Sequence, residues 1–148
     1  MEPEPVILSE VLEQVAETYS NHIALPTGAA DALALAVAHF HCVNAFTYSP
    51  RLSFQAVAPA CGKTTALMLT AALSPLPIII KNGTAAVLFR AADLEGVTLA
   101  LDEVDTWLCH NDNMRGIVNA VSSTADRCCA VTSQGRSFAP RWSTGLPY

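Results

Sequence analysis

The sequence predicts an α/β protein, a parallel sheet flanked by helices with an N-terminal helical pair in front of it. Three observations carry that expectation. After residue 50, short apolar or β-branched runs alternate with stretches of helical periodicity, the rhythm of successive β-α units. Hydrophobic residues make up 51% of the 148 residues and charged ones only 14%, which suits central strands buried on both faces. A Gly-Lys-Thr sequence stands between the first strand-like run and a helix, where parallel sheets place their ligand-facing turns.

Residues 6–20 put Val11, Val15 and Tyr19 on one face, with Leu8 and Leu12 alongside and Glu10, Glu13 and Glu17 elsewhere, which predicts an amphipathic helix. Pro26-Thr27-Gly28 breaks the chain. Thr27 or Asp31 is the expected cap of a second helix running through the alanine-rich segment to about Phe46. Tyr48-Ser49-Pro50 turns into Leu52–Val57, which has the length and alternation of a strand. Lys63 to about Leu73 reads as a helix ended by Pro75 and Pro77, and Ile78-Ile79-Ile80 as a second buried strand. Thr84 is the expected cap of a helix through Ala85, Leu88, Phe89 and Ala92, and Gly96 leads into an apolar strand, Val97–Leu101. A helix is expected over residues 111–121 and a short strand over 128–132. The organisation is one domain: residues 1–47 form a helical segment packed on a core of residues 48–148.

Composition excludes several classes. The net charge of −5 and pI near 5.2 oppose a broad electrostatic grip on nucleic acid, which needs clustered Lys and Arg. The residues after Met1 lack the basic start and apolar core of a secretory leader, so a cytoplasmic location is expected. The most membrane-like run, residues 29–46, carries Asp31, His39, His41 and Asn44 and reads as a helix away from lipid. Five cysteines without a repeated spacing fit reduced thiols. Cys109-His110 with Cys128-Cys129 is a sharper alternative as a zinc site, but adjacent ligands lack the usual two-residue gap. His39 and His41 fall on different faces of their helix and read as packing or capping groups.

The chemistry concentrates in two stretches about forty residues apart. In Ala60-Cys61-Gly62-Lys63-Thr64-Thr65, consecutive backbone N–H groups at a helix start form a nest for phosphate, reinforced by the helix dipole. Lys63 is expected on the β- and γ-phosphates and Thr64 on Mg²⁺. In Leu101-Asp102-Glu103, a buried strand delivers two carboxylates at its carboxyl end. Asp102 is expected to hold Mg²⁺ through water, and Glu103 to orient and deprotonate the attacking water. Together they predict a site for ATP and Mg²⁺. Val57 stands where the full phosphate-loop pattern has glycine, so a requirement for positive φ before Gly62 would strain Val57 or Ala60. Arg90, Arg115, Arg127, Arg136 and Arg141 supply candidates for a γ-phosphate sensor, with a solvated or salt-bridged surface role the commoner fate of each.

Several stretches, taken in succession, resemble an uncharacterised P-loop family met in phage, plasmid and bacterial proteins, often with primase or helicase modules. They are Leu25-Pro26, Ala30–Leu35, Asn44-Ala45-Phe46, Ser49–Leu52, Cys61–Thr64, Ala86–Arg90, Leu101–Thr106 and Met114–Asn119. The resemblance implies a P-loop NTPase-like core, with Lys63, Thr64, Asp102 and Glu103 in the matching positions. It also implies Mg²⁺-dependent ATP hydrolysis in the complete protein, linked to DNA replication or mobile-element processing. Members usually carry Gly-Cys-Gly-Lys-Thr, whereas this chain has Ala60 at the first position. The family continues past the point where this sequence stops, so a core truncated at its C-terminus is expected, with DNA engaged only indirectly or through further segments. An exposed sheet edge would then favour a partner or a homo-oligomer. The competing reading is a degenerate, non-hydrolysing interaction module that keeps the fold.

Overall fold

The computed structural model describes residues 6–55, 60–104, 116 and 129–134. Within them, four helices and four strands follow the expected order: α1 (Leu8–His22), α2 (Ala29–His41), β1 (Leu52–Gln55), α3 (Lys63–Leu73), β2 (Pro77–Ile80), α4 (Ala85–Ala92), β3 (Thr98–Leu101) and β4 (Cys129–Gln134). All described strand pairs are parallel, and the spatial order is β1-β4-β3-β2. The last described strand in sequence therefore lies between the first and the third. Every carboxyl end then points to one edge of the sheet, because parallel strands share a direction.

Two clusters bury the sheet on opposite sides of its strands, since neighbouring side chains alternate across a strand. Leu99 and Leu101 of β3 pack with Ile80, Leu88, Ala91 and Ala92, and so hold α4. Ala100 of β3 and Val131 of β4 pack instead with Leu67 and Ala71 of α3, and with Ala36, Phe40 and Val43. Thr98 through Leu101 are all buried, as a strand covered on both faces requires.

A third cluster joins the N-terminal helices to the core. Tyr19 of α1 packs with Leu33 and Val37 of α2, against Leu52, Phe54, Leu69 and Leu73. The Tyr19 hydroxyl lies 2.7 Å from Thr70 Oγ1, and both residues are fully buried. Thr70 spends its own proton on the Ala66 carbonyl at 2.8 Å, so the phenol is the donor. Burial pushes the Tyr19 phenol above its ordinary value of 10.0. His41 Nε2–H donates to the Leu73 carbonyl at 2.9 Å and ties the end of α2 to the end of α3.

Several elements differ from expectation, each for a local reason. The second helix ends at His41 rather than near Phe46, and a 3-10 turn, Val43–Ala45, replaces its last turn. Its start is Gly28 at φ 77, not a side-chain cap from Thr27 or Asp31. Thr84 does precede α4, but its carbonyl rather than its hydroxyl makes the capping bonds, to Val87 and Leu88. Ile78–Ile80 is a strand, yet it sits at the edge of the described sheet with Ile79 43% exposed, so it is not the buried strand expected. The amphipathic face of α1 buries only at its C-terminal part, with Tyr19 inside and Leu8 and Val11 exposed. Residue 57, the expected helix over 111–121 apart from Gly116, and the four metal-ligand candidates around 109 and 128 lie outside the described residues or their described side chains.

Candidate nucleotide site at the carboxyl edge of the sheet

The phosphate-loop candidate begins five residues after β1 ends, and Gly62 opens α3 with φ 78 and ψ 11. This left-handed backbone is cheap only for glycine. A Cβ there would lie 3.7 Å from Ile23 Cγ2, so the positive φ rather than crowding is what demands glycine. Ala60 also adopts a positive φ, 57, which an L-residue enters only at a cost of about 1 kcal/mol. The strain expected from the missing glycines is therefore present at Ala60.

No side chain caps α3. Its first intrahelical bond runs from Ala66 N–H to the Gly62 carbonyl at 2.8 Å, so the amides of Lys63, Thr64 and Thr65 precede the first N–H that the helix can satisfy. Amides in that position, with the positive end of an 11-residue helix behind them, are the donors a phosphate oxygen needs. Ala60, Cys61, Thr64 and Thr65 are exposed, and Gly62 and Lys63 are half-buried.

At the end of β3 the construction is different. Asp102 is 5% exposed, and its own N–H donates to the Ile80 carbonyl at 2.9 Å, extending the β2–β3 ladder by one residue. Its Oδ1 accepts a bond from Ser133 Oγ at 2.5 Å and another from the Glu103 N–H at 3.1 Å. Ser133 is itself 3% exposed. The register explains the contact: Leu101 pairs with Thr132, so Asp102 and Ser133 are the next positions along adjacent parallel strands. Glu103 has φ 52, one of three described non-glycine residues with positive φ, beside Ala60 and Leu76, and its N–H also lies 3.4 Å from Ser133 Oγ. Its side chain is exposed.

The topology brings these halves together. The loop leaves β1, the carboxylates follow β3, and β4 separates the two strands, so their carboxyl ends stand two strand spacings apart, about 10 Å. That span suits a polyphosphate held at one end by amides, with a divalent ion facing a carboxylate at the other. Two of the three described non-glycine residues with positive φ, Ala60 and Glu103, fall on the two sides of this gap, while the third, Leu76, precedes β2 at the opposite edge. Ser133 fills the position between them and was not among the expected site residues. Its signal in the sequence is a polar residue two positions after the apolar run Cys129–Val131, but only the strand order reveals that Ser133 comes beside Asp102.

Other candidates lie elsewhere. Arg90 is an exposed residue of α4, and the remaining four arginines singled out above fall outside the described residues. His39 stacks near Phe46 at a centroid distance of 4.3 Å, in keeping with a packing role; burial lowers its pKa from 6.5, and its Nε2 has no hydrogen-bond partner among the described residues. Among the described residues no group of three or more His, Cys, Asp or Glu side chains is placed to hold a metal by itself. No helix among them is long and apolar enough to cross a membrane. Comparison of the chain with family models, with curated proteins and with solved structures returns no match.

Proposed function

We propose that this chain is a P-loop-type nucleotide-binding domain that takes ATP with Mg²⁺ at the carboxyl edge of its sheet. The observation that carries the reading is the convergence of two separate sequence motifs on one edge. A loop with open amides starts α3 after β1, and a buried, hydrogen-bonded Asp102 follows β3 two strands away. The amides of Lys63, Thr64 and Thr65 bind phosphate oxygens, and the Lys63 ammonium neutralises charge on the β- and γ-phosphates. Thr64 would hold Mg²⁺ by its hydroxyl and Asp102 through water, donors that suit a hard cation taking phosphate and water oxygens beside one or two carboxylates. The donor set is one hydroxyl and one carboxylate, which fits an ion that takes its remaining ligands from nucleotide and solvent. Once bound, Mg²⁺ offsets charge on the phosphates undergoing transfer. Glu103, adjacent to Asp102 and exposed, orients and deprotonates the water. The resemblance to phage and plasmid P-loop proteins adds a link to DNA replication or mobile-element processing, with DNA contacted through other segments.

The test is titration of the chain with ATP, with and without Mg²⁺, alongside Lys63→Ala. Tight Mg²⁺-dependent binding that Lys63→Ala abolishes is expected; equal binding by both proteins, or binding by neither, sinks the proposal. A second reading, a non-hydrolysing module that keeps the fold for docking, is favoured by the positive φ of Ala60 where a full loop has glycine. Phosphate release from ATP that disappears in Glu103→Gln decides against it.

A further inference from the structure

The connection between α1 and α2, residues 23–28, runs beside the phosphate loop. Ile23 Cγ2 lies 3.7 Å from the position a Cβ on Gly62 would take, so the connection touches the residue that opens α3. Ile23 is extended, with φ −142 and ψ 132, and is anchored by its N–H to the Tyr19 carbonyl at 3.0 Å. Ile23 and Leu25 are half-buried against the Tyr19 cluster, while Ala24 and Pro26 are exposed. The N–H and C=O of Ala24 take no hydrogen bond from another described residue.

From these placements we infer that Ile23–Pro26 is the base subsite of the nucleotide and that the base is adenine. The inference rests on the nucleotide-site reading above and deepens it. Three residues of chain span at most about 10 Å from the Gly62 contact, the scale on which a base lies from phosphates seated on the loop. A ligand subsite of this kind is apolar surface with a few backbone polar groups fixing orientation. Ala24 offers one donor and one acceptor to a ring that presents N1 as acceptor and the N6 amino group as donor. A carboxylate to accept protons from the N1–H and N2 amino group of guanine is missing from Ile23-Ala24-Leu25-Pro26-Thr27-Gly28. The anchored backbone keeps these groups in place before the ligand arrives, so little ordering entropy opposes binding.

The experiment compares ATP, GTP and inorganic tripolyphosphate, each with Mg²⁺, on the full chain and on Ala24→Pro. Proline removes the Ala24 donor, and the extended ψ of Ile23 is the conformation a following proline requires. The wild type is expected to bind ATP at least about tenfold more tightly than GTP or tripolyphosphate. In Ala24→Pro that margin collapses while tripolyphosphate affinity is unchanged, which also reports an intact loop. ATP and tripolyphosphate binding alike in the wild type, or a margin that survives in Ala24→Pro, overturns the base subsite and leaves the phosphate site standing. If neither ligand binds the wild type, the nucleotide-site reading fails and takes the base subsite with it. Loss of tripolyphosphate binding in Ala24→Pro also overturns the base subsite, since the segment then supports the loop rather than the base.

Discussion

The loop after β1 and the turn after β3 open on the same edge of one sheet and each holds a left-handed non-glycine residue, yet only the second sets a buried carboxylate in place by hydrogen bonds. Ala60 carries its positive φ with an exposed side chain, and α3 starts without a side-chain cap. Asp102 receives bonds from Ser133 and from the Glu103 amide in a setting that is 5% exposed. The difference teaches where each half of the proposed phosphate site draws its order. The carboxylate half is fixed by the sheet register before any ligand arrives. The amide half is fixed only by backbone torsions that the local sequence resists, so the ligand itself must supply part of the ordering energy.

Substitutions at the two halves separate these contributions. Removing the charge at the buried half has the largest expected effect: Asp102→Asn lowers the ATP hydrolysis rate at saturating nucleotide by about 100-fold or more, with Mg²⁺-free binding unchanged. Wild-type turnover in this variant places the divalent ion elsewhere. Ser133→Ala comes next. It strips a charge-assisted bond from a buried carboxylate at a cost of about 1.5–3 kcal/mol, read as a lower denaturant midpoint, and it raises the Mg²⁺ concentration needed for half-maximal nucleotide binding. Ser133→Thr, which keeps the hydroxyl, restores the Mg²⁺ response if the bond rather than the packing matters.

At the strained half the sign reverses. Ala60→Gly relieves the left-handed torsion and is expected to stabilise the chain by about 0.5–1 kcal/mol and to tighten ATP binding several-fold. A loss of stability instead means that the entropy glycine adds to the unfolded chain outweighs the strain. The smallest effect concerns the support beneath the loop. The raised pKa of buried Tyr19 makes its contribution complete below pH 10 and lost as pH rises through the folded-state value. Thermal melts above pH 10 should therefore fall less steeply in Tyr19→Phe than in the wild type, and parallel curves contradict that assignment.

Much of the fold is legible in the sequence because hydrophobic period and turn residues are local signals. Helices α1, α3 and α4 and all four described strands lie within a few residues of expectation, and Lys63, Asp102 and Glu103 fall where a strand ends or a helix begins. What periodicity does not encode is lateral order. Ile78–Ile80 has the apolar, β-branched content of a central strand but takes an edge position, and Cys129–Gln134 reads as a late addition but lies in the middle. The missed role of Ser133 has the same origin, since its partner is 31 residues away. The end of α2 is not legible because Cys42–Phe46 carries no Gly or Pro breaker, whereas tertiary packing of Val43 turns the chain there.

The central place of β4 also governs the order in which the molecule assembles. During synthesis β1, β2 and β3 emerge first, and the two strands that will flank β4 have no direct ladder between them until residues 129–134 arrive. The Leu52–Val131 pairing closes a chain segment of some eighty residues, a long-range event of the kind that slows folding and leaves strand edges open to neighbouring chains meanwhile. A nascent chain released before Cys129 would hold both motifs in its sequence and yet have no single edge on which to bring them together.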